Sequence, residues 1–117
     1  MTAFVVLGPG EPGEPGWVEA RSVGEVEELA RAGHTVVVTP ARLTTASAEN
    51  KDGGDGGDAA ARERDAEAAE LTAASICAWA GARVFRTDRA GQVRLAVEMT
   101  DALAGRRPPA LTRRGLA

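Results

Sequence analysis

Three consecutive valines, Val36–Val38, constrain the fold of this chain more than any other sequence feature. The run lies within Thr35–Thr39 and is followed by Pro40, so it has the β-branched composition of a strand and is too short for a helix. Alternate side chains of a strand point to opposite faces, so an uninterrupted apolar run puts valines on both faces of a sheet. The sequence therefore predicts a strand that is buried on both sides, which is typical of a parallel sheet.

Two other short segments have the composition of strands. Phe4–Leu7 ends at a loop in which prolines and glycines alternate, and Arg83–Arg86 follows the helix-terminating Gly81. Helical segments alternate with the strands, and the polar residues that precede them act as caps. The predicted fold class is α/β, with the order β-α-β-α-β-α and a three-stranded parallel sheet. The predicted helices are Val23–Ala32 after Ser22, a segment from Asp65 to Ala80, and Ala90–Ala104 after Asp88.

The predicted elements form a single domain over residues 1–105. A Gly/Asp-rich stretch at about 46–64 lacks periodicity and predicts a disordered insertion, and residues 106–117 form an Arg/Pro-rich tail. Three short helices shield only one face of a small parallel sheet. The other face of the valine strand is therefore expected to be covered by a second copy of the chain or by another protein.

Charge and composition exclude several classes of protein. The net charge of -3 and the pI near 5.2 favour neither nucleic acid nor an anionic membrane as a partner, and no apolar run has the length of a spanning helix. Cys77 is the single cysteine and no signal peptide is recognised, so the expected location is the cytoplasm. Asp52, Asp55 and Asp58 lack the alternating spacing of a calcium loop, so neither a metal site nor a cofactor is predicted.

One segment near the C-terminus has a sequence typical of a known family. Residues Trp79 to Asp88 read Trp-Ala-Gly-Ala-Arg-Val-Phe-Arg-Thr-Asp. The stretch from Glu70 to Ala102, and these residues especially, resembles the C-terminal end of dihydropteroate synthases, the pterin-binding enzymes of folate synthesis. Residues Ala32 to Leu43 are similar to the strand that enters the S-R-K motif of that family, and Val6 to Gly10 are similar to its D-P-G-x-G-F motif. The family has an eight-stranded β/α barrel, so the resemblance implies a partial TIM-barrel-like arrangement of its last three β/α units.

The resemblance also implies that most functional residues of the family are replaced. Gly8 stands at the position of the pterin-binding aspartate, Leu43 at that of the S-R-K lysine, and Asp88 at that of the histidine that holds pyrophosphate. Each loss removes hydrogen bonds of about 1–3 kcal/mol, so synthase activity is not expected of this chain on its own. The two family arginines are kept as Arg42 and Arg86.

Arg42 and Arg86 are the candidate phosphate-binding residues, because barrel enzymes place phosphate sites just beyond the carboxyl ends of strands. The structural alternative is that the two arginines pair with Asp88 or face solvent.

Two functional hypotheses follow. In the first, the chain is a truncated, catalytically inactive dihydropteroate synthase-like module that associates with itself or with a folate-pathway protein. In the alternative, it is a phosphorylated-pterin-binding subunit that completes a synthase site together with another chain. No catalytic residue is assigned in either case.

Overall fold

The computed structural model describes residues 3–43 and 58–105, and these form one parallel sheet with helices. The α/β class and the parallel sheet are confirmed, but the sheet has four strands where three were predicted. Its strand order is β1-β4-β3-β2, and each neighbouring pair is parallel. The elements are β1 (Val5–Leu7), β2 (Val18–Glu19), α1 (Val23–Arg31), β3 (Val36–Val38), α2 (Ala59–Ala80), β4 (Val84–Arg86) and α3 (Ala90–Leu103), and residues 40–43 are also helical.

The additional strand, β2, has only two residues and lies at an edge of the sheet. The Val18 amide donates to the carbonyl of Thr35 at 3.0 Å, and the Ala20 amide donates to that of Val37 at 2.9 Å. A two-residue strand directly after a Pro/Gly-rich loop carries no periodic signal in the sequence. Its pairing with β3 is what makes it a strand.

The partial barrel-like arrangement is not confirmed by the strand order. In a β/α barrel, strands that are consecutive in the chain are neighbours in the sheet, so the valine strand would lie between the two other predicted strands. Here β4 lies between β1 and β3. Among the residues that the structure describes, the sheet is open, with β1 and β2 at its two edges.

All three helices contribute to a core on one face of the sheet. Val36, Val38 and Phe85 of the sheet pack in one cluster with buried residues of the helices. The helix residues of this cluster are Val26 of α1, Ala74, Cys77 and Ala78 of α2, and Val93 and Val97 of α3.

The opposite face of the sheet is covered within the same chain. Leu7, Val37 and Val84 form a second cluster against the half-buried Trp17, and Val37 is only 5% exposed. The Pro/Gly-rich loop, residues 8–17, connects β1 at one edge of the sheet to β2 at the other edge, and Trp17 is its last residue. The valine strand is therefore buried on both sides as predicted, but it does not need a partner for this, because the loop supplies the cover.

Helix α2 begins earlier than the sequence predicted. Its first residue is Ala59, and the Asp58 side chain caps it by accepting from the Ala61 amide at 2.7 Å. Asp65 is therefore an interior residue rather than the cap, and residues 59–64 belong to the helix rather than to a disordered insertion. The part of that prediction over 46–57 and the tail at 106–117 lie outside the described residues.

The helix ends show which capping predictions hold. Ser22 caps α1 as predicted and accepts from the Glu25 amide at 3.1 Å. In a capping box, the Glu25 carboxylate would accept from the Ser22 amide. Here it accepts from the Arg21 amide, one residue earlier, at 2.7 Å. Asp88 does not cap α3, because the N-cap position is Arg89 and no side chain makes the cap hydrogen bond there. Both helix-terminating glycines have the positive φ expected of them, +96° at Gly33 and +125° at Gly81.

Candidate functional site

The carboxyl ends of parallel strands form the edge at which open α/β proteins place ligand sites. In this sheet the edge is formed by the residues that follow the four strands. A cleft of about 440 Å³ opens there, beyond the ends of β2 and β3. It is lined by Glu19, Ala20, Arg21, Thr39, Arg42 and Leu43.

Arg42 lies in this cleft, in the helical segment that follows β3. Its backbone is held in place, because its amide donates to the carbonyl of Thr39 at 2.9 Å. Its side chain is exposed and shares the cleft with Arg21 and Glu19. The Glu19 carboxylate accepts a hydrogen bond from the Thr39 hydroxyl at 3.4 Å, and the cleft is lined by this one acidic residue and by two arginines.

Arg86 does not line this cleft. It is the last residue of β4 and is paired in register with Leu7, which places its side chain on the face covered by the Pro/Gly-rich loop. One guanidinium nitrogen donates to the carbonyl of Glu11 at 2.6 Å. Arg86 therefore holds the loop against the sheet, whereas Arg42 lines the cleft.

The other three positions of the family resemblance, Gly8, Asp88 and Leu43, are also at this edge of the sheet. The Gly8 amide donates to the Glu11 carboxylate at 3.0 Å, which adds a second contact to the loop that Arg86 holds. Asp88 is exposed and lies between β4 and α3. Leu43 is half-buried and forms part of the wall of the cleft.

A buried polar network fills the space between α2 and the residues that follow β4. The Glu70 carboxylate is almost fully buried and accepts hydrogen bonds of 2.5 Å from the Thr87 hydroxyl and from the Arg89 guanidinium. Arg89 also pairs with Glu63. The hydrogen bonds to Glu70 and Glu63 raise the pKa of Arg89 above the usual value for an arginine. These groups satisfy one another, and the network ties α2 to the start of α3.

Exposed apolar side chains form a row on α3. Leu95, Met99 and Leu103 are 58%, 58% and 80% exposed, and their spacing of four residues puts them on one face of the helix. The other exposed residues of α3 are Ala90, Gly91, Gln92, Arg94 and Ala102, of which only Arg94 carries a charge. The exposed positions of α1, in contrast, are Gly24, Glu25, Glu27, Glu28 and Arg31.

Val93, Val97, Thr100 and Leu103 recur at helical spacing, and this spacing predicts that all four lie on the inner face of the last helix. The first three are buried, but Leu103 is not. Nothing in the sequence places Glu19 and Arg21 in a cleft. Glu19 is the last residue of the two-residue strand β2 and Arg21 lies two positions after it, and this strand has no signal in the sequence. Their strand pairing with β3 is what brings them next to Arg42.

Residues 3–43 and 58–105 hold neither a metal-binding cluster nor a membrane-spanning helix. No group of three or more metal-ligating side chains comes together there, and no helix there is long and apolar enough to cross a membrane. Comparisons with protein-family models, with curated proteins and with solved structures gave no match.

Proposed function

We propose that this protein is a non-catalytic module that associates with a second copy of itself through α3 and the edge strand β1. The observation that carries the proposal is the exposed face of α3, which presents Leu95, Met99 and Leu103. Arg94 is the one charged residue at the other exposed positions of this helix, and Glu98 is half-buried. An apolar, nearly uncharged face on a small soluble domain is typical of a protein interface. The charged exposed face of α1 provides the internal comparison.

The edge strand β1 packs against the same helix, α3. The Val5 amide donates to Arg83 and the Leu7 carbonyl accepts from Thr87, so the backbone groups of Val6 between them point away from β4 toward the open edge. Val5 is 40% exposed there. An unpaired strand edge is a template for pairing with another chain.

A two-fold axis beside β1 would bring the open edge of β1 in one copy against the same edge in the second copy. The same axis relates the two α3 rows. The second copy would add its own β1 antiparallel to the first and continue the sheet. Because α3 packs on β1 in each copy, the two α3 helices would then lie on the same side of the joined sheet. The row with four-residue spacing on each helix is the kind of ridge that packs into the groove of another helix.

The proposal is tested by the molar mass in solution, measured by size-exclusion chromatography with light scattering over a range of concentrations. We expect twice the 12.1 kDa chain mass for the wild type. Met99→Glu puts a charge in the centre of the α3 row, and Val5→Lys puts one at the strand edge, so both should give the single-chain mass. The matched control is Ile76→Glu on α2, where the side chain is 47% exposed, and it should keep the wild-type mass.

Two results would contradict the proposal. One is a single-chain mass for the wild type throughout the range of concentrations. The other is dissociation by Ile76→Glu to the same extent as by Met99→Glu. Circular dichroism of each variant shows whether a change of mass reflects unfolding.

A second candidate is a phosphorylated-pterin-binding subunit, linked to folate biosynthesis, that completes a synthase site with another chain. What supports it is the place of Arg42 in a cleft at the carboxyl edge of the sheet. Calorimetric titration with hydroxymethyl-dihydropterin pyrophosphate tests it, with inorganic pyrophosphate as the control. Saturable binding of the pterin compound beyond that of pyrophosphate supports this candidate, and equal or absent heats count against it.

A further inference from the structure

We infer that the cleft lined by Arg21, Arg42 and Glu19 binds a small phosphate monoester that also carries an amino group. The inference concerns the cleft alone and is independent of self-association at α3.

Two arginines, Arg21 and Arg42, line the cleft. Arg21 and Arg42 are both exposed, and their side chains make no hydrogen bond or ion pair with any residue in the ranges 3–43 and 58–105. Their backbones are nevertheless fixed, Arg21 by the Glu25 carboxylate at 2.7 Å and Arg42 by the Thr39 carbonyl at 2.9 Å. The cleft therefore holds two positively charged groups on an ordered backbone.

Glu19 adds a carboxylate to the cleft. One Glu19 oxygen, Oε2, accepts from the Thr39 hydroxyl at 3.4 Å, and Oε1 has no partner among the described residues. A carboxylate beside two arginines is unfavourable for a ligand that is only an anion, but it accepts hydrogen bonds from an ammonium group.

The charges and the volume of the cleft indicate which kind of ligand fits it. A phosphate dianion matches two guanidinium groups in charge and in hydrogen-bond geometry, whereas a carboxylate carries half that charge. An ammonium group on the same molecule matches Glu19. Ala20 and Leu43 give the cleft an apolar wall for the carbon atoms between the two, and a volume of about 440 Å³ accommodates a small molecule.

The test is calorimetric titration of the full chain with two probes at one salt concentration. Phosphoethanolamine carries both the phosphate and the ammonium group, and ethyl phosphate carries the phosphate alone. We expect phosphoethanolamine to bind about tenfold more tightly, which corresponds to about 1.4 kcal/mol. Arg21→Ala and Arg42→Ala should each weaken the binding of both probes by about tenfold or more.

Two further variants separate the roles of the residues. Glu19→Gln should abolish the preference for phosphoethanolamine and leave the binding of ethyl phosphate unchanged or tighter, because it removes a negative charge. Arg31→Ala removes an exposed arginine of α1 that lies outside this cleft, so it should bind both probes as the wild type does.

The inference is overturned if neither probe binds, or if Arg21→Ala and Arg42→Ala bind as the wild type does. Equal binding of the two probes by the wild type would overturn the role assigned to Glu19. Binding of both probes together with no pterin binding would support the inference and count against the pterin candidate. The molar mass of the wild type decides the self-association proposal separately.

Discussion

Arg42 and Arg86 are the same residue type and both stand at or just beyond the carboxyl end of a strand, yet their surroundings differ. The Arg86 side chain lies on the sheet face that the Pro/Gly-rich loop covers, and it donates to the Glu11 carbonyl at 2.6 Å. The Arg42 side chain lies in an exposed cleft with a second arginine. A sequence motif identifies the residue type, but the face to which the side chain points decides whether its donors are available.

Cys77 gives a prediction at the scale of the single residue. Its side chain is buried in the helix-side core, and burial raises the pKa of the Cys77 thiol to about 11. Each unit of pKa lowers the thiolate fraction about tenfold at neutral pH, and only the thiolate is alkylated rapidly. Cys77 in the folded protein should therefore react with iodoacetamide at least about a hundredfold more slowly than an exposed thiol, as followed by mass spectrometry.

The matched control is Thr72→Cys, which adds a thiol at an exposed position of the same helix. Because the pKa of Cys77 is raised, its reaction rate should keep increasing as the pH rises past 9, whereas the rate of the exposed thiol should level off. Equal rates for the two thiols in the folded protein would show that Cys77 is not buried as described.

At the scale of the element, α2 depends on the residue that ends it. Gly81 has a φ of +125°, which L side chains rarely adopt, and a Cβ at this position would lie 2.6 Å from the Cβ of Ala30 on α1. Gly81→Ala should therefore lower the free energy of unfolding by about 1–3 kcal/mol, as measured by urea denaturation.

Gly24→Ala is the control within α1. Gly24 has helical backbone geometry, and an added methyl group would meet only the Ser22 hydroxyl at 3.9 Å, an ordinary contact. This variant should raise the free energy of unfolding by up to about 1 kcal/mol. A shift in the same direction for both variants would contradict the role of Gly81 as a left-handed helix terminus.

At the scale of the whole molecule, the sheet is covered by helices on one face and by a loop on the other. Trp17 is the large side chain that the loop lays on Leu7, Val37 and Val84. Trp17→Ala should uncover these residues, lower the free energy of unfolding by about 2 kcal/mol and increase the binding of a hydrophobic dye. Urea denaturation and dye fluorescence measure the two effects.

Trp79→Ala is the matched change on the outside of the molecule. Trp79 is 58% exposed on α2, so its removal should cost less than about 1 kcal/mol. If the two tryptophan variants were equally destabilised, the loop would not be the cover of the second face.

The sequence alone determined the elements whose signals are local. The valine run, the Ser22 cap and the terminal glycines are each read from adjacent residues, because strand composition, capping hydrogen bonds and left-handed backbone geometry act over a few positions. From these followed the α/β class, the parallel sheet and a valine strand buried on both faces. The start of α2 was misplaced because the Gly/Asp-rich stretch before it obscures the Asp58 cap.

Only the tertiary structure decided what depends on contacts between distant residues. The strand order, the pairing that makes β2 a strand and the loop that covers the second face all join segments that are far apart in the chain. The same contacts bring Arg21 and Glu19 next to Arg42, and they leave Leu103 on the outside of α3. The hydrophobic effect is not directional, so an apolar residue can be buried by any element that packs on it. The sequence shows that a residue is apolar, but the packing of the other elements decides whether it is covered.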